Sequence, residues 1–128
     1  MLEDNSYCFA CGKSNPCGLK LSFNHSEGKT TSEFTPARDH QGYKDMAHGG
    51  IIASILDEAM IQAALSEGIT PVTAELRVRF RRPLPVGRKT LIEAEITRKG
   101  PRLIEACSRL LDPGDGAIIA EADAKLIP

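Results

Sequence analysis

His48, Gly49 and Gly50 stand at the head of an apolar stretch that reaches Leu65 without a proline, and Asp57 lies inside it. Burying a carboxylate is expensive unless it is partnered or has a task, so Asp57 needs a reason. Glycines at a helix start leave room for a ligand or another backbone. The free N–H groups and the positive end of the helix dipole there attract negative charge, which suits a developing oxyanion. Eight residues separate Gly49 from Asp57, a rise of roughly 12 Å along a helix axis. One reacting carbonyl cannot touch both. If both serve one reaction they must come from two subunits, and two-fold symmetry would then create two equivalent sites.

The element that positions them is a helix from Gly49 through Leu65, ending near Glu67-Gly68. Ile51, Ile52, Ile55, Leu56, Met60, Ile61 and Leu65 cover more than one face, which predicts burial all round. Upstream, Leu19–Asn24 and Lys29–Thr35 read as a hairpin turning at residues 25–28, and residues 36–46 as a polar loop that delivers the chain to the helix. Downstream, Val72–Phe80 alternates, with Val72, Ala74, Leu76, Val78 and Phe80 on one face and Thr73, Glu75, Arg77 and Arg79 on the other. Strands follow over Leu91–Lys99, Leu103–Leu111 and Ala117–Leu126, separated by Gly- and Pro-rich turns. Ile118, Ala120, Ala122, Ala124 and Leu126 alternate along the last.

His-Gly-Gly with an acid nine residues after the histidine, followed by this strand pattern, resembles the hotdog-fold acyl-CoA thioesterases of the phenylacetate-type, PaaI-like branch. The resemblance implies an α+β hotdog domain over residues 1–128, with a Cys-, Gly- and Pro-rich lead-in at 1–18. A long central helix would be wrapped by an antiparallel sheet, and subunits would join as dimers or tetramers that share sites. It implies hydrolysis of an acyl-CoA without a cofactor. Asp57 would be the base or nucleophile and the Gly49 N–H the oxyanion donor, with Gly50 beside the substrate and His48 contributing. Thr73, sixteen residues past Asp57, falls where the family often places a serine or threonine. Relatives carry a carbonyl-binding asparagine in the loop before the helix. This chain has none there, and His40 and Gln41 are the nearest substitutes.

Each assignment has a plainer counterpart. His48 is also a fit cap for the helix dipole, and Thr73 suits any strand. Asp57 could be satisfied by Ser54 or a backbone amide. Glu58, turned about 100° from Asp57, misses the family spacing. Arg81, Arg82 and Arg88 are candidates for the coenzyme A phosphates, although Glu93 and Glu95, on the outward face of the adjacent strand, pair better with the arginines of residues 77–82 as a cross-strand charge ladder. A non-catalytic acyl-CoA-binding domain is the alternative function.

Composition narrows the classes. The chain has 128 residues, a formal net charge of −1, 5% aromatic residues and no tryptophan. One domain with a real core fits that length, and neither nucleic acid nor a membrane surface has an electrostatic partner here. No segment reaches the ~20 apolar residues of a membrane helix. The first residues show neither a basic start nor an apolar core, which reads as a chain without a signal peptide, in the cytoplasm. Cys8-Phe9-Ala10-Cys11-Gly12 has the shape of half a zinc knuckle, with Cys17 as a third thiol and His25 or Cys107 as distant fourths. A second Cys-X-X-Cys pair is missing, so the expectation is reduced thiols and no metal.

Overall fold

The computed structural model describes residues 2–128. Its elements are β1 (Asn24–Ser26), β2 (Lys29–Phe34), α1 (Gly49–Leu65), β3 (Val72–Phe80), β4 (Thr90–Lys99), β5 (Ile104–Leu111) and β6 (Ile118–Ile127). The strands form one antiparallel sheet in the order β1-β2-β4-β5-β6-β3. Helix α1 lies across β2, β4, β5, β6 and β3. This is the hotdog arrangement that the motif implies.

The helix buries a single stripe instead of its whole circumference. Ile52, Ile55, Leu56, Ala59, Met60, Ala63 and Ala64 are buried, recurring every three to four residues as one helix face does. They meet Ile92, Ala94, Ile104, Ala106, Leu110, Ala120, Ala122, Ala124 and Leu126 of the sheet. The alanines on the sheet let the helix approach closely, and the buried Ser108 hydroxyl donates to the Leu56 carbonyl at 3.0 Å. Asp57, Glu58, Ile61 and Gln62 are half-buried and Leu65 is exposed. Apolar residues on that uncovered flank misled the expectation of burial all round.

The first hairpin is displaced from its predicted place. Strand β1 starts only at Asn24, and the turn is the two-residue pair Glu27-Gly28, at φ 51° and 79°, the double left-handed geometry that matches strand twist. Residues 19–21 instead bond back to the lead-in, Leu19 N–H to Phe9 O and Leu21 N–H to Ala10 O. Strand β6 bulges where it passes Leu110 and Leu111, so Ile119 becomes buried beside Ala120 and Ile118 is left half-buried. Gly68, at φ 80°, ends α1 in the left-handed conformation that glycine favours. No described helix is long and apolar enough to cross a membrane.

The α1–sheet contact is the main source of stability. Leu56→Ala, fully buried in the wild type, should cost about 2–5 kcal/mol. Leu103→Ala, at an exposed position, should stay within about 0.5 kcal/mol. Urea unfolding at one protein concentration checks both, and equal losses would contradict this account of the core.

Candidate active site

The helix start is built by His48. Its backbone is extended at φ −67° and ψ 135°, and its Nδ1 accepts the Gly50 N–H at 2.8 Å. A ring nitrogen that accepts must be unprotonated, so the ring proton of this cap sits on Nε2. A Cβ on Gly50 would come within 3.0 Å of His48 Nδ1, so glycine there makes room for the cap. The Gly50 N–H is thereby spent within the chain. The His48 carbonyl takes the N–H groups of Ile51 and Ile52. No acceptor among the described residues takes the Gly49 N–H. Of the two glycines, Gly49 holds the free donor.

The loop before the helix lies against this start. His48 N–H donates to the His40 carbonyl at 2.8 Å, and Gln41 bridges to Ala47. The His40 and Gln41 side chains brace the loop itself. His40 Nδ1 accepts from Ala37 N–H at 2.9 Å and its ring packs on Phe34, while Gln41 Oε1 accepts from Asp45 N–H at 3.0 Å. The Gln41 amide N–H pair has no acceptor among the described residues.

Asp57 is held from β3. The Thr73 hydroxyl donates to Asp57 Oδ1 at 2.7 Å, a charge-assisted length. Ser54 plays no part, because its hydroxyl bonds the Gly50 carbonyl. Asp57 Oδ2 has no partner among the described residues, and no fully buried side-chain oxygen lacks one, so Oδ2 faces solvent. Thr73 gets there by a bulge. Opposite β6, Thr73 pairs with Leu126 and Glu75 with Lys125, leaving Ala74 as an extra residue. Simple alternation would have set Thr73 on the outer face with Arg77 and Arg79. The extra residue reverses the phase and returns Thr73 to the helix side with Leu76, Val78 and Phe80, and moves Val72 out.

Strand β3 runs antiparallel to α1 along the sheet edge. Thr73 touches Asp57, and seven residues on, the Phe80 ring lies 3.5 Å from where a Gly49 Cβ would be. Val72, Leu76 and Phe80 are exposed along this edge. Cavities of about 670, 410, 260 and 180 Å³ are lined by neither Asp57 nor Gly49, so among the described residues these two groups share none of them.

The three candidate phosphate arginines are engaged by acids of their own chain. Arg81 meets Glu121 at 2.6 Å, Arg82 meets Asp115 at 3.4 Å and Arg88 meets Asp112 at 2.5 Å. The Arg81 hydrogen bond holds the Glu121 carboxyl below its ordinary range, and the Ala117 N–H does the same for Asp115. The expected ladder with Glu93 and Glu95 does not form, because β3 neighbours β6 and not β4. Arg77 lies 3.9 Å from Asp123 and Lys125 lies 3.5 Å from Glu75, while Glu93 pairs with Arg109 at 2.8 Å.

Glu58 has partners that sequence reasoning missed. Cys8 Sγ lies 3.8 Å from its Oε1, and Gln62 Nε2 donates to its Oε2 at 2.8 Å. Burial, then the Glu58 carboxylate, push the neighbouring Cys11 thiol well above its ordinary range. Cys17 is exposed in a separate turn, His25 Nδ1 pairs with Thr30 and Cys107 sits on β5, so none of them joins this group. The Cys-X-X-Cys spacing was the available signal; the acid that meets it was not.

Comparison with known proteins agrees with the fold. The family profile described as thioesterase superfamily matches residues 45–119, from the end of the loop into β6. Acyl-coenzyme A thioesterase THEM4 of Mus musculus is 30% identical over 89 residues, which is 69% of this chain and 38% of that protein. The chain thus spans about two fifths of that relative's length. The E. coli PaaI protein from the phenylacetic acid degradation operon superposes with a TM-score of 0.80 at 20% identity, covering 86% of this chain and 84% of that one. The smu.793 protein of Streptococcus mutans, solved bound to acetyl CoA, superposes with a TM-score of 0.78 at 17% identity, over 84% of this chain and 86% of that one.

The cap makes a direct prediction. His48→Ala should destabilise the protein by about 1 kcal/mol, whereas His48→Asn, which can cap the same N–H, should retain most of that stability. Chemical denaturation checks this, and an unchanged His48→Ala midpoint would contradict the cap.

Proposed function

The chain belongs to the thioesterase superfamily, and from that premise we propose that it hydrolyses an acyl-CoA thioester at a site shared between two copies of itself. One observation carries the reading: Asp57 with Thr73, and Gly49 with Phe80, mark opposite ends of the same free sheet edge. Antiparallel pairing of β3 with its two-fold copy lays the Thr73 end of one chain beside the Phe80 end of the other. Asp57 then approaches the unpartnered Gly49 N–H of the partner subunit, and symmetry makes a second such site. A nine-residue edge strand exposing Val72, Leu76 and Phe80 is the kind of edge that pairs with another chain. The likeness to an acetyl-CoA-bound protein and to an acyl-coenzyme A thioesterase supports an acyl-CoA as substrate.

The chemistry follows from the free atoms. The thioester carbonyl oxygen accepts from the Gly49 N–H, and the helix dipole adds to the stabilisation of the tetrahedral oxyanion. Asp57 Oδ2, oriented through the Thr73 hydroxyl on Oδ1, takes a proton from water as that water attacks the carbonyl carbon. The C–S bond then breaks, and the coenzyme A thiolate leaves with the proton from Asp57. Direct attack by Asp57 to give an anhydride, later hydrolysed, uses the same positions. The Gln41 amide N–H pair stands in for the family's asparagine at the carbonyl. Arg81, Arg82 and Arg88 reach the nucleotide only by leaving or sharing Glu121, Asp115 and Asp112.

Short, medium, long and aryl acyl-CoAs, assayed as a panel, test the activity. Asp57→Asn should bind acyl-CoA normally while kcat falls by roughly 10²–10⁴-fold. Gly49→Pro removes the N–H at the first helical position, where proline is well tolerated, and should lower kcat by about 10²–10³-fold. Asp57→Asn at the wild-type rate would overturn the base, and binding without turnover of any panel member would favour a ligand-binding domain.

A further inference from the structure

We propose that Cys8, Cys11 and Glu58 form a site for one thiophilic divalent cation of the zinc class, joining the N-terminal lead-in to helix α1. Their ligand atoms, two thiol sulfurs and a carboxylate oxygen, all lie within 4.8 Å of one another. Two ligands on one tetrahedral zinc, a sulfur at ~2.3 Å and an oxygen at ~2.1 Å, stand roughly 3.6 Å apart. Cys8 Sγ and Glu58 Oε1 are 3.8 Å apart, close to that spacing.

The surroundings hold the donors in place. The turn at Cys8–Gly12 closes through the Gly12 N–H to the Cys8 carbonyl at 2.8 Å. A Cβ at Gly12 would fall 2.4 Å from Cys8 N and 2.6 Å from Cys8 O, so only glycine permits the tight turn that sets both sulfurs on one side. Gln62 then orients two of the ligands, donating to Glu58 Oε2 at 2.8 Å and lying 3.7 Å from Cys11 Sγ. This is the outer hydrogen bonding that metal ligands use to keep their direction. The cluster borders a cavity of about 410 Å³ whose wall includes Glu3, Asp4 and Asn5 and no lysine, arginine or histidine. A cation has no resident competitor there, and the cavity leaves its fourth position to water. Binding releases two thiol protons to solvent and leaves one carboxylate and two thiolates around the ion. Glu58 projects about 100° around the helix from Asp57, so the site is separate from the proposed reaction centre.

The test is anaerobic titration of the reduced, chelator-treated protein with cobalt(II). The expected result is a thiolate-to-cobalt charge-transfer absorption that saturates at about one ion per chain and is displaced by zinc. Cys8→Ser and Cys11→Ser should abolish that absorption, and Cys17→Ser should keep it. Glu58→Gln, which retains both thiols and the side-chain shape, should keep the absorption but bind at least ~10-fold more weakly, the loss that outer partners alone can cause. Hydrogen exchange over residues 6–12 should slow on loading. Absence of the absorption at stoichiometric cobalt, its persistence in Cys8→Ser, or its loss in Cys17→Ser would each overturn the proposal, as would wild-type affinity in Glu58→Gln.

Discussion

Eight residue steps of helix lie between a free amide and an ionisable carboxylate, and no side-chain motion shortens a rigid rise of roughly 12 Å. The rest of the structure can be understood from that constraint. Gly49 offers an N–H that no described residue of its own chain accepts, because His48 caps Gly50 and leaves Gly49 open. Asp57 keeps one carboxylate oxygen toward solvent while Thr73 holds the other. The start and the middle of α1 therefore each present one of the two groups that the proposed site needs.

Strand β3 relates the two halves. It is an edge, and it runs antiparallel to the helix, so its two ends serve the two ends of the site. The Ala74 bulge is what lets a strand whose outer face carries Arg77 and Arg79 turn Thr73 inward to Asp57. Further along, β3 is in phase with Ala120, Ala122 and Ala124 of β6, and packing on α1 sets which face is inward. One extra residue thus reconciles a requirement of the core with a requirement of the carboxylate.

The helix, its bounds and the strands from β3 to β6 were legible because alternation and proline-free apolar runs report local geometry directly. The Gly49–Asp57 separation was legible too, since a helix converts sequence number into distance. Pairing was not: the arginines of β3 were matched with Glu93 and Glu95, yet strand order is a property of the whole sheet, and β6 supplies Asp123 and Glu121. The bulge at Ala74 escaped because alanine fits either phase. Leu19 to Phe23 looked like a strand by composition but is claimed by the lead-in, whose hydrogen bonds to Phe9 and Ala10 no periodicity announces. Glu58 was dismissed for its spacing from the histidine, and its meeting with Cys8 spans fifty residues, a contact that only the folded chain makes.

Subunit complementation tests the shared site most directly. Asp57→Asn and Gly49→Pro chains, each nearly inactive alone, are unfolded together, refolded in equal amounts and assayed. A site drawing one group from each chain predicts recovery of about a quarter of wild-type activity, because half the random dimers are hybrids and each hybrid has one intact site. If both groups worked within a single chain, the mixture would remain as inactive as its components.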